Sequence, residues 1–168
     1  GQASSILMAR EGAKILINDI NADRAKSTLR QIENEGGKGL VIAEDCTKEE
    51  GCKSIVKRGL DQFGKIDILF NNVGSVGRGM VTEVEEENWQ KAIDSNLKSA
   101  VIMSKYVVPV MSESGGGSII NISSIDAIRA GGSKNVPYSV AKAGVSHLTR
   151  LMAVHHGREK IRVNCLAP

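Results

Sequence analysis

The sequence predicts a doubly wound α/β fold, in which helices cover both faces of a parallel sheet, and three observations support this prediction. Apolar runs of strand length alternate with segments of helical periodicity along all 168 residues. The runs are apolar throughout, which is typical of strands buried on both faces. The chain has 18 glycines against 3 prolines, a composition that suits tight turns between strands and helices. Strands that alternate with helices form parallel sheets.

Local signals define the elements in order. The first is a helix from Gln2 to Glu11, ended by Gly12, because glycine adopts the left-handed conformation of a C-cap without strain. Asn21 or Asp23 caps the second helix, which stops at Gly36-Gly37. We predict strands over 13–17, 39–43, 66–70, 118–122 and 161–164, and further helices over 48–63, 86–111 and 138–155, the last of them after Pro137.

A doubly wound sheet binds its ligand beyond the carboxyl ends of its strands. Asp19 ends the first predicted strand. In a dinucleotide-binding fold, a carboxylate at that position accepts hydrogen bonds from the adenosine ribose and repels a 2′-phosphate. The surrounding capping residues are also compatible with an Asx turn or a helix cap. The predicted ligand edge comprises residues 18–19, 44–45, 71–74, 122–124 and 166–168.

Tyr138 and Lys142 are four residues apart at the start of a predicted helix, so their side chains lie on one helical face. An ammonium near a phenol favours the phenolate, which suits a tyrosine that exchanges a proton. Such pairs also occur by chance on solvated helices. Ser124, at the end of a predicted strand, strengthens the functional interpretation, because its hydroxyl can hold a substrate carbonyl while Tyr138 supplies the proton. Turn or capping chemistry is the alternative for Ser123-Ser124.

Composition excludes several classes of protein. The net charge is +3, with 41% hydrophobic and 24% charged residues, which argues against disorder and a collagen-like chain. No apolar run approaches the roughly 20 residues of a membrane span. Aromatic residues make up 3%, so a stacking platform for nucleic acid is not expected.

The metal-binding and redox residues are sparse. Three cysteines without metal-ligand spacing indicate free thiols in a reducing compartment, and hence a cytoplasmic protein. His147 and His155 can share a helical face, with His156 beside them, but a third ligand is missing nearby. We therefore predict no metal site.

Ordered motifs give the chain a specific resemblance. They are Gly1-Gln2-Ala3, Asn18-Asp19-Ile20, Asp45-Cys46-Thr47, Asn71-Asn72-Val73-Gly74, Ser95-Asn96-Leu97, residues 117–124 (GSIINISS), residues 138–142 (YSVAK) and residues 161–168 (IRVNCLAP). In this order and spacing, the chain resembles the short-chain dehydrogenase/reductase family, which has a Rossmann fold, over essentially its whole length.

The resemblance implies roles for these residues. Tyr138 would be the acid/base, Lys142 its electrostatic partner and ribose ligand, Ser124 the residue that orients the substrate oxygen, and Asn96 the holder of a water in the proton relay. The implied cofactor-binding residues are Gly1, Asp19, Ile20, Asp45, Cys46, Asn72, Val73, Gly74, Tyr138, Lys142 and Pro168. Val73 replaces the family's usual alanine, and we expect this change to be tolerated.

The resemblance also has gaps at both ends. Gly1 looks like the final glycine of the family's T-G-x-x-x-G-x-G loop, so the first strand and most of that loop would be missing. The segment after Pro168, which includes the substrate lid and last strand, would be missing too. We expect residues 1–168 to be a fragment of a single dinucleotide-binding domain, with two strand edges left unpaired.

The predicted activity is hydride transfer between a nicotinamide cofactor and a small alcohol or ketone, with NAD preferred over NADP because Ile20, which carries no positive charge, follows Asp19. The alternative is a non-catalytic dinucleotide-binding protein of the same fold, for redox sensing or as a scaffold. The substrate is not predicted; the loop over residues 125–136 is fairly polar. Apolar residues on more than one face of the helices over 86–111 and 138–155 indicate that both helices are buried on both sides. In the family that the chain resembles, the equivalent pair forms a subunit interface, so the resemblance implies a homodimer or, in preference, a homotetramer.

Overall fold

A computed structural model describes residues 1–130 and 134–168. Strands and helices alternate in it as the sequence predicts. The helices are α1 (Gln2–Arg10), α2 (Ala22–Asn34), α3 (Glu49–Phe63), α4 (Glu86–Ile93), α5 (Ser99–Glu113) and α6 (Val136–His156). The strands are β1 (Ile15–Asn18), β2 (Gly39–Ile42), β3 (Ile68–Asn71), β4 (Gly117–Ile122) and β5 (Ile161–Leu166). They form two units, Gly1–Gly64 and Lys65–Pro168.

In the first unit, β1 and β2 pair in parallel, with Ile15 opposite Gly39. Helix α2 connects them and buries Ala25, Thr28 and Ile32, whose spacing places them on one helical face. Of the two predicted caps, Asn21 is the one used: its side-chain oxygen accepts the N–H groups of Asp23 and of Arg24, at 3.1 Å each. This unit presents the carboxyl ends of β1 and β2 at one edge.

The second unit contains a parallel sheet of order β3-β4-β5. Helix α5 packs on β3 and β4, and α6 packs on β4 and β5. The largest fully buried apolar side chains of this unit are Met111, Ile119, Ile161, Val107 and Val145. Strand β5 alternates buried and exposed residues, so one of its faces is open among the described residues rather than apolar on both sides.

A buried ladder of polar side chains fixes this sheet to α6. The Asn71 amide donates to Asn121 Oδ1 at 2.9 Å, and the Asn121 amide donates to Thr149 Oγ1 at 3.0 Å. Thr149 in turn donates to the Val145 carbonyl at 2.8 Å. Each buried group therefore has a partner, as buried polar groups require. The ladder holds β3, β4 and α6 in one register.

The predicted long helix over 86–111 is wrong in one respect, because a π-helical turn over Asp94–Lys98 separates α4 from α5. The N–H of Ser99 bonds the carbonyl of Asp94, five residues back. Side chains occupy the carbonyls that the turn loosens: Ser95 Oγ donates to Lys91, and Ser99 Oγ donates to Ser95, both at 2.7 Å. Such turns are frequent at functional sites.

The two sheets share no strand pairing within the described residues: β1 pairs with β2, and β3 pairs with β4. Each of β1 and β3 therefore has one backbone edge without a strand partner there. In the same residues, no helix combines the length and the apolar content that crossing a membrane requires.

Two consecutive glycines before β4 provide a test of this packing. Gly115 has φ +91 with nothing within 4 Å of an added Cβ, whereas Gly116 has φ +121 and its Cβ would lie 2.5 Å from the Lys160 carbonyl oxygen. Gly115→Ala should cost about 1–2 kcal/mol of unfolding free energy from the left-handed backbone alone. Gly116→Ala should cost about 1–3 kcal/mol more, from overpacking. Urea unfolding measures both, and equal losses would contradict the packing described.

Candidate active site

Lys142 is the only lysine with a fully buried position among the described residues, with 4% of its surface exposed. It lies in the second turn of α6, and its Nζ donates to the carbonyl oxygen of Ile122, the last residue of β4, at 2.7 Å. Burial lowers the pKa of the Lys142 ammonium, and the nearby Cys165 acts in the opposite direction. A buried charge therefore lies at the carboxyl end of the sheet.

Tyr138 lies one helical turn before Lys142, as the four-residue spacing predicts. The Lys142 Nζ is 5.6 Å from the centre of the Tyr138 ring, within the range at which a cation and an aromatic ring attract. Pro137 is buried at the start of α6. Proline has no backbone N–H, and it fits the first helical turn because an N–H at that position would have no partner within the helix. The helix start thus places the phenol and the ammonium together.

Ser124 follows β4 and is 8% exposed. Its Oγ accepts the N–H of Asp126 at 3.3 Å and caps a short 3₁₀ turn over Ile125–Ala127. Ser124 therefore does act as a helix cap, and this uses one of the two lone pairs of its hydroxyl oxygen. A hydroxyl that accepts one bond still has its own proton to donate, so Ser124 can also hold a substrate oxygen.

Asn96 lies in the π-helical turn and is 2% exposed. Its amide nitrogen donates to the carbonyls of Ser75 and Ala92, at 2.8 and 2.9 Å. Its Oδ1 is buried and has no hydrogen-bond partner. Buried polar atoms are almost always paired, so the orientation of Oδ1 indicates a position for a donor that the protein itself does not fill.

Gly74 marks where that donor would lie. A Cβ on Gly74 would lie 2.5 Å from Asn96 Oδ1 and 3.5 Å from Lys142 Nζ. The two polar atoms therefore lie within about 6 Å of each other, since both are near the same point, and a side chain at residue 74 would fill the space between them. The glycine keeps open a small polar cradle between the amide oxygen and the ammonium.

The loop after β3 is attached to the site at both ends. Asn72 and Val73 are exposed, and Ser75 Oγ lies 2.6 Å from Ser95 Oγ of the π-helical turn. Gly79 then donates its N–H to the Lys134 carbonyl at 2.9 Å. These contacts hold the loop beside the segment that leads into Tyr138.

The loop after Ser124 exposes both apolar and basic side chains. Asp126 accepts a hydrogen bond from Asn135 at 2.7 Å, and Lys134 lies 3.6 Å from Glu83. Ile125 and Ile128 are its exposed large apolar side chains, at 45% and 70%, and Arg129 is exposed as well. Residues 131–133 of the predicted loop lie outside the described residues.

The remaining cofactor-binding candidates of the second unit and those of the first unit are placed as follows. Pro168 is exposed, and its carbonyl accepts the Ile125 N–H at 2.8 Å, next to Ser124. In the first unit, Gly1 is the N-cap of α1. Asp19 Oδ1 accepts the Asn21 N–H at 2.8 Å, so one oxygen of this carboxylate forms the Asx turn that was the alternative to ligand binding. Ile20 is 77% exposed.

Asp45 and Cys46 are mainly structural in their observed contacts. Asp45 Oδ1 accepts both the N–H and the hydroxyl of Thr47, at 2.9 and 2.7 Å. Cys46 is 5% exposed, and burial, with a smaller contribution from Asp45, raises the pKa of its thiol to about 11. Cys165, by contrast, is half-buried.

The structure thus brings Ser124, Tyr138, Lys142, Asn96 and Gly74 together in the second unit. Sequence reasoning missed the π-helical turn and Ser123, whose hydroxyl donates to the Lys142 carbonyl at 2.8 Å. The signal for the turn was present as a run of small polar residues inside an apolar helix. Among residues 1–130 and 134–168, no group of three His, Cys, Asp or Glu could hold a metal ion.

Comparison with known proteins places this geometry in a family. A family model described as enoyl-(acyl carrier protein) reductase matches residues 1–168. A crystal structure of a putative short-chain dehydrogenase/reductase from Burkholderia xenovorans is 34% identical to the chain and superposes on all of it with a TM-score of 0.97. The chain belongs to the short-chain dehydrogenase/reductase family. The resemblance and the α/β Rossmann fold class predicted from the sequence are both confirmed.

Two further members of the short-chain dehydrogenase/reductase family are informative. An uncharacterized oxidoreductase of Thermotoga maritima is 39% identical over the whole of this chain. The structure of a 7α-hydroxysteroid dehydrogenase with NADH and 7-oxo glycochenodeoxycholic acid is 33% identical, with a TM-score of 0.93 over the whole chain. The chain spans 66% of the length of each of these relatives.

The burial of Lys142 predicts a pH-dependent contribution to stability. The unfolded lysine holds its proton up to about pH 10.4, whereas the folded ammonium has a lowered pKa. Between the two values the unfolded state binds more protons, so raising the pH stabilises the folded protein. Urea unfolding at neutral and at alkaline pH should show wild type gaining stability relative to Lys142→Met as the pH rises. A difference that stays constant, or that falls, would contradict the burial of a protonated amine.

Proposed function

We propose that this protein is an NAD(P)-dependent oxidoreductase that interconverts an alcohol and a carbonyl compound, with Tyr138 as its acid/base. The observation that carries the proposal is the buried Lys142 ammonium, 5.6 Å from the Tyr138 ring and beside the end of β4. Burying a charge is costly unless the charge is paired and hydrogen-bonded, and such groups cluster at functional sites. Here its partner is a neutral carbonyl, which leaves its positive field to act on the phenol.

In the proposed reaction each side chain has one task. Ser124 Oγ donates a hydrogen bond to the substrate oxygen, keeping its own proton, and fixes the carbonyl against Tyr138. Tyr138 Oη gives its proton to that oxygen during reduction and takes it back during oxidation. Lys142 favours the phenolate form that remains. A bound nicotinamide cofactor supplies or accepts the hydride.

The residues present fit such a cofactor and a proton relay. The unpartnered Asn96 Oδ1 would accept a hydrogen bond from a water held between it and Lys142 Nζ, and this would be the water of the proton relay expected at Asn96. Gly74 keeps that space open. Lys142 would also hold the ribose next to the nicotinamide, together with Asn72, Val73 and Pro168 around the same edge of the second unit.

The alternative is a dinucleotide-binding protein without catalysis. Binding alone requires the cofactor contacts and does not require a phenol paired with a buried ammonium or a serine hydroxyl at the adjacent strand end. The combination of Ser124, Tyr138 and Lys142 therefore favours the enzyme.

We propose NAD as the preferred cofactor. Asp19 Oδ2 makes no hydrogen bond within the described residues, so it can accept one from a ribose hydroxyl of the adenosine. The carboxylate would repel a 2′-phosphate at the same place, and Ile20 offers it no positive charge. Gly1, Asp45 and the backbone of Cys46 would contribute the other contacts of the adenosine end.

We propose a small-molecule substrate whose hydroxyl lies on an apolar framework. Ile125 and Ile128 are the exposed large apolar side chains directly after Ser124. Asp126 and Lys134 of the same loop contact Asn135 and Glu83, and Arg129 is exposed. The 7α-hydroxysteroid dehydrogenase structure contains a substrate of that general kind. Nucleic acid is not proposed as a partner.

The assembly and the setting of the parent protein are also proposals. Val101 and Leu151 are exposed on α5 and α6, at 42% and 45%, and support a two-fold homo-oligomer. Val107, Val108, Val145 and Met152 of the same helices are buried within the chain and do not add to that surface. Three free thiols support a cytoplasmic location. Strands β1 and β3 each have one edge without a strand partner among the described residues, which supports a longer dinucleotide-binding domain.

The acid/base role of Tyr138 is tested by removing one oxygen. Tyr138→Phe should lower turnover by about 10²–10⁴-fold, because the proton donor is lost, while cofactor affinity changes little since the ring remains. Tyr106→Phe, which changes the other tyrosine of the chain, is the matched control and should keep its activity. NADH oxidation with a panel of cyclic ketones measures both variants. If Tyr138→Phe retains more than about a tenth of wild-type turnover, a loss below ~1.4 kcal/mol, the role is excluded.

The cofactor preference is tested at Asp19. Asp19→Ala should narrow the preference for NADH over NADPH by about tenfold or more, because the repulsion of the 2′-phosphate is removed; tenfold corresponds to ~1.4 kcal/mol. Asp23→Ala removes the same charge four residues away, on the exposed first turn of α2, and should leave the ratio within about twofold. Fluorescence titrations give the four dissociation constants of each variant. Tighter binding of NADPH by the wild type would refute the proposal.

A further inference from the structure

The end of β4 holds Lys142 at two points. The Ile122 carbonyl accepts the ammonium at 2.7 Å, and the hydroxyl of the next residue, Ser123, donates to the backbone carbonyl of Lys142 at 2.8 Å. One bond fixes the tip of the side chain and the other fixes its base. The strand end thereby fixes both the backbone of Lys142 and the position of its ammonium group.

Ser123 has no proton left to donate to a substrate. The residue is 2% exposed, and its single proton is used on the Lys142 carbonyl. Its Oγ also lies 2.7 Å from Ser146 Oγ, one turn further along α6, so Ser146 is the donor in that pair. Burial and the committed proton together keep Ser123 from the role assigned to Ser124.

The position of Ser123 in the chain gives this clamp a consequence for the site. Ser123 precedes Ser124 directly, and its bond reaches the helical turn that carries Tyr138 and Lys142. A carbonyl inside a helix normally accepts only the N–H four residues on, so the hydroxyl adds a link from strand to helix. That link sets the distance between the substrate-holding serine and the tyrosine-lysine pair.

We propose that Ser123 is a positioning residue for the reaction: its bond to the Lys142 carbonyl, together with the Ile122 carbonyl, fixes the Lys142 ammonium relative to Ser124 and Tyr138. The role in catalysis rests on the proposed oxidoreductase function. The positioning of the ammonium itself does not, and it can be measured in the protein without substrate.

The direct test follows the titration of the Lys142 amine. NMR of the protein with ¹³C-labelled lysine resolves its side-chain signal, identified by its disappearance in Lys142→Met. In Ser123→Ala the midpoint should move upward toward the ordinary lysine value, because the freed side chain reaches more water. Ser104→Ala, another buried serine to alanine change (4% exposed) on α5, should leave the midpoint unchanged. An unmoved midpoint in Ser123→Ala overturns the proposal.

The kinetic test separates positioning from general stability. Ser123→Ala should lower kcat about tenfold or more and shift the pH at half-maximal rate, with KM for the cofactor changed less than kcat. Ser146→Ala, which leaves the bond from Ser123 to Lys142 in place, should have a smaller effect, and Ser104→Ala should lower stability without moving the pH profile. An unchanged kcat and profile in Ser123→Ala overturns the catalytic part. Absence of turnover in the wild type refutes the proposed oxidoreductase function instead and leaves the NMR result to judge the clamp.

Discussion

Burying the Lys142 amino group is the constraint on which the second unit depends. An ammonium removed from water is strongly unfavourable unless acceptors replace the solvent. The acceptor here is the last carbonyl of β4, so the strand must end where the second turn of α6 passes. The ladder from Asn71 through Asn121 to Thr149 and the hydroxyl of Ser123 hold strand and helix in that relation. The position of Ser124 follows, because it is next along the chain.

The π-helical turn meets a second requirement, which is to place a buried amide opposite Lys142. In this turn the carbonyls of Lys91, Ala92 and Ser95 accept side-chain donors from Ser95, Asn96 and Ser99. The Asn96 amide nitrogen is then fully used, and its oxygen is turned toward Gly74. The irregular backbone is thus compensated locally, and the unpaired oxygen is the only buried side-chain acceptor left over among the described residues.

The alternation of strands and helices could be predicted from the sequence, because the spacing of apolar residues and the capping residues both act within a single element. Asn21 begins α2 as its N-cap, and Gly12, with its positive φ, follows the end of α1, both as expected. Strand β3 lies at 68–71 instead of 66–70, since an apolar run alone does not say which of its residues pair. The π-helical turn was missed because the buried positions Ala92, Ala100, Met103 and Val107 still fit a helical period across it.

The site shows the same division between local and tertiary information. The pairing of Tyr138 with Lys142 could be predicted because helix geometry fixes residues four apart. Their partner could not, since a backbone carbonyl such as that of Ile122 carries no sequence signal. The partners of charged residues in the loop after Ser124 could not be predicted for a similar reason: Asp126 and Lys134 contact Asn135 and Glu83, which the composition of the loop does not reveal.

The electrostatics of Lys142 connect these features to the proposed reaction. Among residues 1–130 and 134–168, no carboxylate forms an ion pair with it, and the influences on its pKa are burial and, in the opposite direction, Cys165. A carboxylate partner would have stabilised the ammonium more strongly, but it would also have cancelled the positive field at Tyr138. A neutral carbonyl anchors the group and leaves that field uncompensated. The arrangement therefore accepts a destabilised cation in the protein without substrate, and it holds that cation 5.6 Å from the centre of the Tyr138 ring.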